Sequence, residues 1–219
     1  MNNTCTESLR LCAFRVLRLD DDGTLLVGAS SMYVVDAPVS FKYTPQSPAR
    51  DRFEVINGCG DVCALFVGSP KAVDSVDLEL HLCNLDAEVT ELLAGGEVIT
   101  DYTYGTIGYK APTDSTVNDN GVAIETWAVQ WAGRQRALIG STPGWYRHCF
   151  PITKWQQDAL EQKNDFSDVV LKGSGEVNSG FGTGLVADPI PVTIGDSAYL
   201  WYTDSSLPSG ECGYQPVEA

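Results

Sequence analysis

Hydrophobic and polar positions alternate strictly from Val73 onward: Val76, Leu78, Leu80 and Leu82 fall on one side, and Ser75, Asp77, Glu79 and His81 on the other. That period of two predicts a strand with one buried face. The pattern then changes. Leu85, Val89, Leu92 and Leu93 recur at i, i+4, i+7 and i+8, which predicts a short helix with one apolar stripe and with Glu88 and Glu91 outside it. Asp86 is placed to cap the free N–H groups of the first turn, and Gly95 to end the helix in a left-handed conformation.

The same reading along the rest of the chain predicts about eight strands. Leu11 to Leu19 forms one, closed by the turn Asp20-Asp21-Asp22-Gly23, and Met32 to Thr44 is a second extended stretch. Pro45 and Pro48 then interrupt pairing, because each removes a ladder donor. Arg52 to Ile56 and Val62 to Val67 flank a five-residue loop and read as a hairpin. Asp101 to Gly121 has little periodicity and reads as a long loop. Val122 to Trp131, Trp145 to Ile152, Phe166 to Lys172 and Ala198 to Thr203 return to strand, while Lys154 to Gln162 reads as a short helix or a polar connection. Gly173 to Gly184 and Asp188 to Pro191 are connections, and the chain from Asp204 onward reads as an arm. The expected class is mainly β: a sandwich or barrel with one short flanking helix, long loops and terminal arms. With no repeat and no dividing linker, residues 1–219 form one domain, in which 1–10 and 204–219 are arms, 45–69 projects, and 101–121 is a loop.

Charge narrows the function. Lys and Arg number 14 against 29 Asp and Glu, a net charge of -15, which opposes general affinity for nucleic acid or anionic lipid. Eleven carboxylates lie between residues 61 and 119 against Lys71 and Lys110, whereas Arg134, Arg136, Arg147 and Lys154 occupy a stretch with no acid. The asymmetry reads either as one copy docking its basic region on the acidic region of the next, through residues such as Asp101, Asp114 and Asp119, or as an ordinary solvated surface. Arg10, Arg15 and Arg18 break the N-terminal apolar stretch, so no secretory leader is expected, and no run reaches membrane-spanning length. The seven cysteines are accordingly expected as free thiols in a reducing compartment.

Several constellations are candidates for chemistry. Cys59, Cys63, His81 and Cys83 have the residue types of a zinc site but no diagnostic spacing, so apolar filling competes with ligation. Asp77 and Glu79 are spaced about 7 Å apart along a strand, within the range of glycosidase acid pairs. A pair is not a mechanism, and solvated carboxylates on a strand face are far commoner. Gly180-Phe181-Gly182-Thr183-Gly184 lacks the Lys-Ser/Thr of a phosphate loop, and no G-x-S-x-G occurs. Five scattered tryptophans indicate core or subunit contact before ligand stacking.

Five stretches, in order, resemble the major tail (tail tube) proteins of long-tailed siphophages, particularly those of actinobacterial hosts. They are L-R-L-C-A-F-R-V-L-R-L-D-D-D-G, E-V-I-N-G-C-G-D-V-C, L-E-L-H-L-C-N-L-D-A-E-V-T-E-L-L-A-G-G, W-Y-R-H-C-F-P-I-T-K-W and V-V-L-K-G-S-G-E-V-N-S-G-F-G-T-G. The resemblance implies a β-sandwich tube protein in the virion, assembled in the host cytoplasm as hexameric rings stacked head to tail around a lumen for the genome. It implies no catalytic residue and no cofactor. Implied partners are further copies of the chain and tail components such as the tape measure, terminator and tip, with DNA passing unbound and no membrane. On this reading Ser75, Asp77, Glu79 and His81 face the lumen and make it an acidic channel that repels phosphate, and Arg134, Arg136, Asp101, Asp114 and Asp119 contact neighbouring copies. The competing expectation is a soluble acidic carbohydrate-binding module or hydrolase using Asp77 and Glu79.

Overall fold

The computed structural model describes residues 6–36, 40–47, 52–56, 62–67, 72–82, 86–132, 135–136, 138–139, 142–162, 167–208 and 212–218. Strands β1 (Thr6–Arg18), β2 (Gly28–Asp36) and β3 (Ser40–Gln46) open the chain, followed by the hairpin β4 (Arg52–Ile56) and β5 (Val62–Val67). The alternating stretch is β6 (Ser75–Leu82), and it leads into α1 (Ala87–Ala94). Next come β7 (Glu97–Asp101), β8 (Gly105–Lys110), β9 (Val122–Ala132) and three two-residue strands, β10 (Gln135–Arg136), β11 (Leu138–Ile139) and β12 (Thr142–Pro143). The long β13 (Trp145–Gln162), β14 (Ser167–Glu176), a 3-10 turn (Ser179–Phe181), β15 (Leu200–Asp204) and β16 (Gly213–Val217) complete it. The fold is mainly β.

The switch from strand to helix falls where the periodicity places it. Val76, Leu78, Leu80 and Leu82 are buried, and the intervening side chains are not. The Asp86 carboxylate accepts from the N–H groups of Glu88 and Val89, both at 3.1 Å, which satisfies two donors of the first turn. Gly95, at φ 84°, ends the helix, and a Cβ there would lie 2.2 Å from the Thr116 carbonyl oxygen. No other residue fits that turn. Val89, Leu92 and Leu93 sink into the core, as the stripe requires.

One sheet runs in the order β16-β2-β1-β9-β13-β14-β6-β3. Four strands separate β1 from β3, so a flat sheet would hold them roughly 24 Å apart. Instead the rings of Phe14 (β1) and Phe41 (β3) have centroids 5.9 Å apart. The sheet therefore folds back on itself. Strand β13 serves both halves: residues 145–149 pair with β15 on one edge and β9 on the other, and residues 152–162 pair with β14. The register with β9 slips between Phe150 and Thr153, where Pro151 supplies no ladder donor. The main core, including Phe14, Val16, Ile124, Phe150, Leu80 and Leu171, lies between the halves, with α1 packed into it. A second cluster lies on the opposite face of β1, β9 and β13, under residues 181–194.

Several expectations are corrected. Residues 101–121 are not one loop: β7 and β8 form a hairpin whose turn is set by Asp101 accepting from the N–H groups of Thr103 (2.8 Å) and Tyr104 (3.2 Å). The glycines of β8 hid its alternation. Lys154 to Gln162 is neither helix nor connection but the second half of β13, in which Lys154, Gln156, Gln157 and Asp158 are exposed. Met32 to Thr44 divides into β2 and β3, and Pro45 stays paired opposite Val76 because β3 is an edge strand. Thr6 to Arg10 and residues 213–217 belong to the sheet, the latter pairing with β2, so neither segment is a free arm.

Candidate functional site

The polar face of β6 lies in the half of the sheet formed by β13, β14, β6 and β3, and cross-strand register fills it with charge. Glu79 stands directly between Lys42 of β3 and Lys172 of β14, while Asp77 stands between Thr44 and Ser174. Lys154 of β13 lies opposite Ser174. Together Lys42, Asp77, Glu79, Lys154 and Lys172 line an open groove of about 630 Å³. The face expected to be acidic is thus one of alternating sign.

Its members are held by one another. Gln46 Nε2 donates to Asp77 at 2.6 Å, His81 Nε2 lies 2.9 Å from Glu79 Oε1, and Lys172 Nζ lies 2.9 Å from Asp158 Oδ2. The hydrogen bond from His81, aided by the charges of Lys42, His81 and Lys172, holds the Glu79 carboxyl below its usual range. Asp158 in turn raises the Lys172 ammonium. A glycosidase general acid needs the opposite shift, so the environment of Glu79 suits a permanent carboxylate.

The other expected contact residues are dispersed. Asp101 is engaged in its own turn, whereas Asp114 and Asp119 are exposed on the segment after β8. Arg134 lies outside the described residues, as does the side chain of Arg136, whose backbone pairs with Trp131 in β10. Arg147, read from sequence as part of a basic docking region, is instead buried. Of the zinc constellation, His81 bonds to Glu79, Cys63 is placed only by its backbone in β5, and Cys59 and Cys83 lie outside the described residues. Among the described residues no His, Cys, Asp and Glu side chains cluster to hold a metal. Gly180 serves packing, since a Cβ there would lie 2.8 Å from the Asp22 carbonyl oxygen.

A constellation that the sequence reading missed lies on the opposite side of the molecule. Arg15, Glu125 and Arg147 have no significant exposure, yet all three are ionisable. Glu125 accepts from Arg15 Nε at 2.6 Å and from Arg147 Nη2 at 2.7 Å. Asp188 bridges both guanidiniums at 2.9 Å, and Asp204 adds a contact to Arg147 at 3.2 Å. Both guanidiniums lie over the Trp127 ring, Arg15 at 5.0 Å and Arg147 at 4.9 Å from its centroid. Burial would raise the Glu125 pKa, but Arg15 and then Arg147 outweigh it and hold the carboxyl below its ordinary value. The available signal was parity: Arg15 shares its strand face with Ala13 and Leu17, and Glu125 shares its own with Ala123 and Trp127. Opposite charges on two apolar faces imply a buried pair.

No family model matches this chain, and a search of curated proteins also finds no match. No helix among the described residues is long and apolar enough to cross a membrane.

Proposed function

We propose that this chain is the building block of a siphophage tail tube, polymerising as hexameric rings stacked head to tail around a channel for DNA. Its place is the virion, with assembly in the host cytoplasm and with tape measure, terminator and tip proteins as neighbours. The observation that carries the proposal is the charged face of β6. Glu79 stands between Lys42 and Lys172, Lys172 is also paired with Asp158, and Asp77 lies in the same groove, so a passing polyanion meets lysines accompanied by carboxylates and not a bare row of cations on which to stall. The net charge of -15 adds long-range repulsion. Ser75, Asp77, Glu79 and His81 form the lumen wall on this reading, and the lysines beside them tune its potential towards neutrality.

Two further features support assembly. Among the described residues, β3 and β16 each have one ladder partner, which leaves both margins of the sheet available to other copies. The turn of the β7–β8 hairpin carries the exposed rings of Tyr102 and Tyr104, as a subunit contact would require. Head-to-tail contacts of this kind do not close between rings, so they generate filaments. Negative-stain micrographs of purified protein, taken across a concentration and salt series, test the proposal. Rings or hollow tubes are expected. Monodisperse single subunits that hydrolyse or bind glycans, with loss in Asp77→Asn, would overturn it in favour of a carbohydrate-active protein.

A further inference from the structure

The segment between the 3-10 turn and β15, residues 182–198, covers one face of the sheet without joining it. Its backbone hydrogen bonds are largely internal: Ile190 N–H donates to the Thr183 carbonyl at 2.9 Å and Ile194 N–H to the Gly182 carbonyl at 3.1 Å. It resembles a compact loop that holds its own shape. Gly182 and Gly184 mark one end, at φ 61° and 73°, and Gly195 marks the other, at φ 56°. A Cβ on Gly182 or Gly195 would meet nothing within 4 Å, so those glycines provide backbone freedom and not close packing.

Two kinds of tie fasten the segment down. Leu185, Ile190 and Ile194 are pressed onto the cluster containing Leu17, Leu19, Met32, Ala123 and Cys149. Asp188 supplies the second tie, one carboxylate oxygen on Arg15 and the other on Arg147, with its own carbonyl accepting from Arg147 Nη2 at 3.1 Å. Asp188 is 28 % exposed, whereas the arginine side chains it grips are at 0 % and 1 %. The closed arrangement has a cost. Arg15 Nη1, Arg147 Nε and Tyr202 OH are buried with no hydrogen-bond partner among the described residues. Each would gain water if the segment lifted, and that hydration offsets part of the penalty for wetting the apolar side chains beneath it.

We propose that residues 182–198 are a latched lid that opens while the sheet stays folded, with Asp188 as the latch and the glycines at 182, 184 and 195 as hinges. Opening exposes the apolar face around Leu17, Met32 and Ala123 and admits solvent to the Arg15–Glu125–Arg147 cluster. The free subunit thus keeps a protected apolar surface that becomes available only when Asp188 lets go. This device does not depend on the tail-tube reading.

Cys149 reports the opening, because its fully buried thiol lies in the cluster beneath the lid. Alkylation of full-length protein by iodoacetamide, followed at Cys149 by peptide mass spectrometry in urea below the global transition, measures it. The denaturant dependence of labelling scales with the surface exposed in the opening event. A lid predicts a dependence less than about a third of that for global unfolding. Asp188→Asn is expected to speed Cys149 labelling about tenfold, a shift of one order of magnitude in the opening equilibrium, with the far-ultraviolet circular dichroism unchanged. Labelling of the wild-type protein that follows global unfolding in its urea dependence would overturn the lid, whether or not the variant folds. An unchanged rate in a folded Asp188→Asn protein would overturn the latch.

Discussion

Glu125 accepts a hydrogen bond from Arg15 across the β1–β9 ladder while both side chains are closed off from water. The pair, together with Arg147, replaces hydration that neither ion retains. Removing one partner leaves an uncompensated buried charge, a change that typically costs about 3–5 kcal/mol. Glu125→Gln is therefore expected to lower the free energy of unfolding by that order in urea titrations. Replacing Lys154, an exposed residue, should change it by less than about 0.5 kcal/mol.

Acid should weaken the fold in two stages. Burial lowers the His148 pKa from its ordinary value of 6.5, so the folded state favours the neutral ring. The stability this supplies is present above pH 6.5 and is lost as pH falls through the depressed folded value. Glu125 is likewise depressed relative to an ordinary 4.5, and its contribution is present above that pH and lost as pH falls through the lower folded value. Urea midpoints measured from about pH 8 to about pH 3 should hold steady at first, decline below 6.5 and decline again below 4.5. His148→Phe should remove the first decline, leaving the second.

Two glycines of β14 should respond differently to a side chain. At Gly173 a Cβ would lie 2.7 Å from the Trp155 ring and 2.7 Å from the Lys154 carbonyl oxygen, so Trp155 or the backbone must move. Gly173→Ala is expected to cost about 1–3 kcal/mol through overpacking. At Gly175 the nearest atoms are 3.6 Å away, an ordinary contact, and Gly175→Ala should stay within about 0.5 kcal/mol of wild type. Thermal melts of the two variants make the comparison directly.

What the sequence discloses depends on how local each feature is. The strand-to-helix switch between Ser75 and Gly95 is written in consecutive residues, and both its cap and its stop fall on the expected residues. The second half of β13 is not legible, because Gln157, exposed between Gln156 and Asp158 and followed by a register shift, breaks the alternation. The face of β6 was only half legible. Its own carboxylates are plain in the sequence, but Lys42 and Lys172 reach Glu79 through pairings with strands 37 residues before and 93 residues after it. Arg15 looked like an interruption of an apolar stretch, whereas its partner Glu125 lies 110 residues away. Non-local register, and not propensity, decides both sites.

The helix that closes the core rests on its cap. Asp86 serves two N–H groups and also accepts from Tyr33 OH at 3.3 Å. Asp86→Ala should cost about 1 kcal/mol, and Asp86→Asn or Asp86→Ser should recover most of it, since each retains a capping oxygen. Chemical denaturation of the three variants tests this order.

The central claim concerns where the charged face of β6 stands in an assembly. A cryo-electron microscopy reconstruction of tubes grown from the purified chain measures that position directly. The account predicts Asp77 and Glu79, flanked by Lys42 and Lys172, on the wall of a continuous central channel. A reconstruction that places Asp77 and Glu79 on the outer surface of the tube would contradict it.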